Sequence, residues 1–203
     1  MDTTNRETTR LDYKKAIQSL NLFASENGGV INRMKALKLL YFAERYHSRK
    51  YGRLITNDTY YAMKKGAVPS KTMDIIEDSP YVDERPKKYA VKYLANTGRY
   101  DLSSVKPVDD NVFSDSDMEA LKFAWERFGH LDHYKLAKMT HDYPEWIKHK
   151  HVEIDNTSEV MDLMDFFDDP IKNRELCFPL SNYDRNLKRD YFNEMSQLIA
   201  LWK

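Results

Sequence analysis

Between Ala36 and Ala43 the chain reads Ala-Leu-Lys-Leu-Leu-Tyr-Phe-Ala, with Lys38 its one polar side chain. A helix that is apolar almost all round cannot lie on a surface and must be covered on most sides. The rest of the chain is therefore expected to wrap this segment. The helix is predicted from about residue 32 to residue 50, with Arg45, Arg49 and Lys50 near its C-terminal end, where cations complement the helix dipole. Gly52 follows as its stop. The expected fold class is α+β: a predominantly helical single domain around a buried helix, with a small antiparallel β-sheet.

Other elements follow from periodicity. Tyr13, Ala16, Ile17, Leu20, Phe23 and Ala24 recur at three- and four-residue steps and predict an amphipathic helix over residues 11–26. Thr9 with Asp12 is read as its capping box, and Asn27-Gly28-Gly29 as its stop. Residues 59–64 are aromatic and β-branched enough for a strand, and Pro69-Ser70 opens a short helix through Ile76. The alternation of Tyr89, Val91 and Tyr93 predicts a half-buried strand, turned by Asn96-Thr97-Gly98 into a partner at residues 99–102. Residues 114–117 offer N-caps for a helix ending at Gly129, a further helix spans about 132–141, and Pro144 starts the next. The last helix begins near Leu187 and aligns Tyr191, Met195, Leu198 and Trp202. Residues 1–10 read as a flexible lead-in to one domain over 11–203.

Composition narrows the functional classes. The 203 residues carry 32 basic and 32 acidic side chains, so the phosphate-neutralising excess typical of duplex binders is absent and no stable nucleic-acid binding is expected. The one cysteine, Cys177, forms no internal disulfide and fits a reducing, cytoplasmic setting. No run of about 20 apolar residues exists to span a bilayer as a helix, and no membrane association is expected.

Catalytic chemistry finds little support. His130, His133, His141, His149 and His151 lack the H-E-x-x-H pattern of a helical zinc pair, and no metal or other cofactor is expected. A metal-dependent hydrolase built on His141 and nearby acids is the sharpest enzymatic alternative. Cys177 sits in an apolar context that favours an inert thiol, and there is no G-x-S-x-G, G-x-G-x-x-G or Walker pattern. The expectation is a non-enzyme. Partner contact is the better prospect. Residues 155–169 hold six acids, with Asp162, Asp165, Asp168 and Asp169 among them, and no lysine or arginine. Such a face suits a basic cleft on a partner; the plainer reading is a solvated helix face whose apolar side packs inward. Tyr191, Met195 and Trp202 of the last helix are the other partner-binding candidates. Lys35, Lys38 and Lys64-Lys65 form a basic patch if sheet and helix meet, or snorkel past the core edge.

The order of residues from Lys35 to His47, followed by Tyr61-Ala62-Met63-Lys64-Lys65-Gly66 and then Thr140-His141-Asp142-Tyr143-Pro144-Glu145-Trp146, resembles the Panacea domain of SocA-like antitoxins. The resemblance spans roughly residues 12–150. Its motif residues here are Lys35, Lys38, Leu39, Tyr41, Gly66, His141 and Trp146, all expected to be scaffold. Where many relatives show Gly-Pro-Val, this chain has Gly66-Ala67-Val68-Pro69, so the rigid turn is expected to be displaced. Residues 151–203 match no pattern of the family. The resemblance implies an antitoxin of a bacterial or phage toxin–antitoxin pair that holds a cognate protein toxin inactive by direct contact. Its alternative is a proteolytic adaptor delivering a toxin to an AAA+ protease.

Overall fold

The computed structural model describes residues 11–170, 172 and 178–201. Its axis is the buried helix. In chain order come α1 (Tyr13–Glu26), β1 (Val30–Asn32), α2 (Arg33–Tyr51), β2 (Tyr60–Met63), β3 (Gly66–Pro69), α3 (Ser70–Ile76) and α4 (Glu84–Tyr93). Next are β4 (Leu94–Thr97), β5 (Asp101–Ser104), α5 (Asp115–Phe128), α6 (His133–Thr140) and α7 (Pro144–Ile147). The chain closes with α8 (Val152–Asp155), β6 (Ser158–Val160) and α9 (Asn182–Leu201), with short 3-10 turns at Asp110–Val112 and Leu163–Phe167. This is an α+β, mostly helical domain with two small antiparallel sheets, ordered β1-β5-β4 and β3-β2-β6.

Local chemistry explains the borders. Asn32 caps α2 through its side chain, which accepts from the Lys35 amide, and Gly52 ends the helix in the left-handed conformation at φ 69°. Ser114 and Asp117 form a reciprocal capping box on α5. Asp12 alone caps α1, its side chain accepting from the Lys15 amide, while Thr9 lies outside the described residues. Ser181 and Asp184 cap α9, which therefore starts a turn earlier than its apolar stripe suggests.

Three sequence expectations are corrected. The stretch around Tyr89 is a helix and not a strand: α4 buries Ala90 while packing on α1, sets the Tyr89 and Tyr93 rings 5.0 Å apart at a tilt of 43°, and leaves Val91 in solvent. The alternation there is two readings of one i, i+4 pair, and packing against α1 selects the helical one. The turn over Asn96-Thr97-Gly98 does form, joining β4 to β5. The acidic block is not a helix face; it is strand β6 followed by a 3-10 turn, with Met161, Phe166 and Phe167 inward and Val160 exposed. The displaced turn after Gly66 is also absent, because residues 66–69 pair with β2 as strand β3.

From Ala36 to Arg49 every side chain of α2 is buried, and α1, α5, α6, α9 and β3 surround it. Phe42 stacks on Phe128 at 4.3 Å and Tyr46 on Phe123 at 4.1 Å, locking α5 to it. A fully buried Leu or Phe of this kind stabilises by about 1.5–3 kcal/mol.

Candidate functional site

A helix buried on all sides must also bury its polar residues; on α2 the ionisable ones, Lys38, Glu44, Arg45, His47 and Arg49, each have a committed partner, while the Ser48 hydroxyl has none among the described residues. Lys38 is 1% exposed, so it neither snorkels nor joins a basic patch. Its Nζ donates to the carbonyl of Ala67 on β3. Burial pushes its pKa down to about 7. The Ala67 amide donates to Thr140 Oγ1 at 3.2 Å, and Thr140 in turn donates to the Ala137 carbonyl at 2.7 Å. Ala67 is buried on the edge strand with its backbone N–H and C=O directed away from β2, and Thr140 and Lys38 satisfy these two groups that the sheet leaves unpaired. Gly66 precedes it at φ +89°, and a Cβ there would lie 1.9 Å from Thr140 Oγ1. Close approach of α6 to the hairpin therefore requires glycine.

Trp146 completes this junction by donating Nε1–H to the Met63 carbonyl at 3.1 Å, and His141 stacks on Trp146 with ring centroids 3.7 Å apart. Burial lowers the His141 pKa. Motif residues separated by about a hundred positions thus meet on one hairpin. Leu39 lies in the core, while Lys35 points away, with Nζ 2.9 Å from Asn27 Oδ1 and 5.5 Å from the Trp125 ring. Lys64 and Lys65 stand exposed at the hairpin tip.

One turn along α2, Tyr41 donates to Glu145 Oε1, and Arg45 Nε reaches the same oxygen at 2.9 Å. The Arg45 guanidinium lies 4.4 Å over the Tyr143 ring and donates Nη2–H to the Asp168 carbonyl. Arg49 carries the ladder further: Nη1 donates to the carbonyls of Phe166, Phe167 and Asp168, Nε to that of Phe178 at 2.7 Å, and Nη2 to Asp169. On another side, Glu44 accepts from the amides of Ile55 and Thr56, and burial raises its pKa to about 7. His47 packs against Asp117 and the Arg53 carbonyl, and burial lowers its pKa to about 4.

These contacts decide where the partner-binding candidates lie. Asp165 is buried and paired with Lys148 at 2.6 Å. Asp169 bridges Arg49 and Arg185, and Asp168 pairs with Arg189 at 3.1 Å. Asp168 and Asp169 therefore fasten this segment to α2 and α9, Asp165 ties it to the end of α7, and only Asp162, the cap of the 3-10 turn, remains at the rim. On α9, Phe192 packs on Phe167 at 5.5 Å, and Tyr191 covers Gly52 while staying 45% exposed. Met195 is half-buried and Trp202 lies outside the described residues, as does Cys177. Tyr183, Leu187 and Leu198 are exposed and continue the Tyr191 stripe at helical spacing. Sequence reading missed Glu145, Arg45 and Arg49 as anchors. The available signal was an arginine pair on a helix too buried to leave charge unpaired.

Among the described residues, no group of three or more His, Cys, Asp or Glu side chains is arranged to hold a metal ion. No helix among them is long and apolar enough to cross a membrane. The family model described as antitoxin SocA-like, Panacea domain, matches residues 37–147, more than half of the chain. The chain belongs to this family. The matched span of the Panacea domain starts in α2 and ends with α7, so it contains the Lys38–Gly66–Thr140–Trp146 junction and the Tyr41–Arg45–Glu145 cluster. Helix α1 and everything after Ile147 lie outside it. No curated protein and no solved structure gives a significant match.

Proposed function

We propose that this chain is an antitoxin that neutralises a cognate protein toxin by direct contact. Membership of the SocA-like antitoxin family carries the reading. The buried ionisable residues of α2 are consumed in holding the scaffold together, which suits a binding role better than a reactive one. For the contact surface we favour the outer face of α9, where Tyr183, Leu187, Tyr191 and Leu198 form an apolar stripe beside the acids Asp184, Asp190 and Glu194. The Arg49–Asp169–Arg185 bridge holds that helix on the core and so presents the stripe in one orientation.

Co-expression with the product of the neighbouring reading frame tests both levels. A toxic neighbour rescued by this chain supports neutralisation. Leu187→Asp with Leu198→Asp is expected to abolish rescue while leaving the melting temperature within a few degrees, since both side chains are solvent-facing. A neighbour that is harmless, or stays toxic beside the intact chain, contradicts the reading.

A further inference from the structure

We propose that the groove between α1 and α4 binds a phosphorylated nucleotide, with the base on a tyrosine floor and the phosphates on a row of cations. The groove is an open surface depression of about 550 Å³, a volume comparable to that of small-molecule clefts. Its floor is Tyr13 and Tyr89, packed edge to face at 5.6 Å. Tyr89 is fixed further by the Gln18 amide, whose Nε2 lies 3.0 Å from its hydroxyl. Its walls carry Arg85, Lys88 and Lys92 at i, i+3 and i+7 on α4, with Lys14 facing them from α1.

The groove carries a local excess of positive charge, although among the described residues exposed lysines without an ion pair also occur elsewhere, as at Lys64 and Lys65. The whole chain is neutral, and cations such as Lys15, Arg33, Lys50 and Lys148 are matched to carboxylates. In the groove four cations face one acid, Glu84, which approaches only Lys88, at 3.9 Å. Among the described residues, Lys14, Arg85 and Lys92 have no ion-pair partner. Three long cationic side chains along one helix can together neutralise a run of linked phosphates, and an aromatic floor suits a planar base. An acidic peptide would use the cations but would leave the two rings without a role. The site is separate from the α9 stripe and does not rest on the antitoxin reading.

Calorimetric titration of the full chain at low salt with ATP, tripolyphosphate, adenosine and a glutamate-rich peptide tests the proposal. ATP is expected to bind below about 100 μM and roughly tenfold or more tighter than either tripolyphosphate or adenosine. Arg85→Glu combined with Lys88→Glu, both exposed side chains, is expected to weaken ATP by at least about tenfold with unchanged circular dichroism. Lys92→Glu gives an independent repeat. Absence of saturable ATP binding up to about 1 mM overturns the proposal, as does binding that the charge reversals leave unchanged. Tripolyphosphate binding as tightly as ATP, or the peptide binding where ATP does not, overturns it as well.

Discussion

Lys38→Met exposes the energetics of the buried scaffold most cleanly. The substitution keeps the length of the side chain, removes its charge, and deletes the hydrogen bond to the Ala67 carbonyl. In the unfolded chain the amine keeps its proton up to about pH 10.5, whereas in the fold it releases it near pH 7. Between those values the unfolded state binds more protons, so the wild-type protein gains stability as pH rises. Below pH 7 both states are protonated, and the cost of burying the ammonium is fully present. At about 1.4 kcal/mol per pH step, the whole window amounts to about 5 kcal/mol, of which about 3 kcal/mol falls between pH 6 and pH 9. The variant lacks this gain but leaves a buried carbonyl unpaired, at a cost of about 1–3 kcal/mol at every pH. Urea unfolding of both proteins at pH 6 and pH 9 measures the difference, in which all other titrating groups cancel. The variant is expected to be more stable than wild type by about 2–4 kcal/mol at pH 6 and within about 1 kcal/mol of it at pH 9. Equal pH dependence in the two proteins would refute the assignment of a buried, titrating Lys38.

Glu44→Gln has the opposite sign. The folded acid keeps its proton up to about pH 7 and the unfolded one loses it near 4.5, so wild-type stability falls across that interval and the variant's should not, as paired urea melts would show. Gly66→Ala forces a Cβ against Thr140 Oγ1 at a positive φ, and a loss of roughly 3 kcal/mol or more is expected in thermal or chemical unfolding. Arg49→Met removes the donor that holds four backbone carbonyls and Asp169. Breaking one side of such a buried ion pair costs about 3–5 kcal/mol, and hydrogen exchange should accelerate over residues 163–169 and in α9 before it does in α1.

Local rules carried much of the architecture. The ends of α2 are legible because Asn32 and Gly52 are a side-chain cap and a left-handed stop, and α5 because Ser114 and Asp117 close a capping box. Helix α4 was not legible, since Tyr89, Val91 and Tyr93 fit both periods and only burial of Ala90 as α4 packs on α1 separates them. Arg45 and Arg49 look like charges placed to suit a helix C-terminus. Their actual partners are carbonyls and carboxylates a hundred or more residues ahead, a distance no local pattern encodes. Asp165, Asp168 and Asp169 were likewise not legible: their density suggested a display surface, and their partners, set by tertiary packing, make them fasteners. The family motif was readable as an order of residues. Its physical content, capping of the Ala67 edge by Lys38 and Thr140 with Gly66 allowing the approach, required the fold.

The central claim is that this Panacea domain inactivates a partner by holding it. The most direct measurement is the growth of cells expressing the neighbouring gene with and without this chain, paired with size-exclusion chromatography of the two purified proteins. Restored growth together with a stable complex, both lost in the Leu187→Asp, Leu198→Asp variant, is the predicted result. Toxicity that persists in the presence of the intact chain, or rescue with no complex formed, would contradict it.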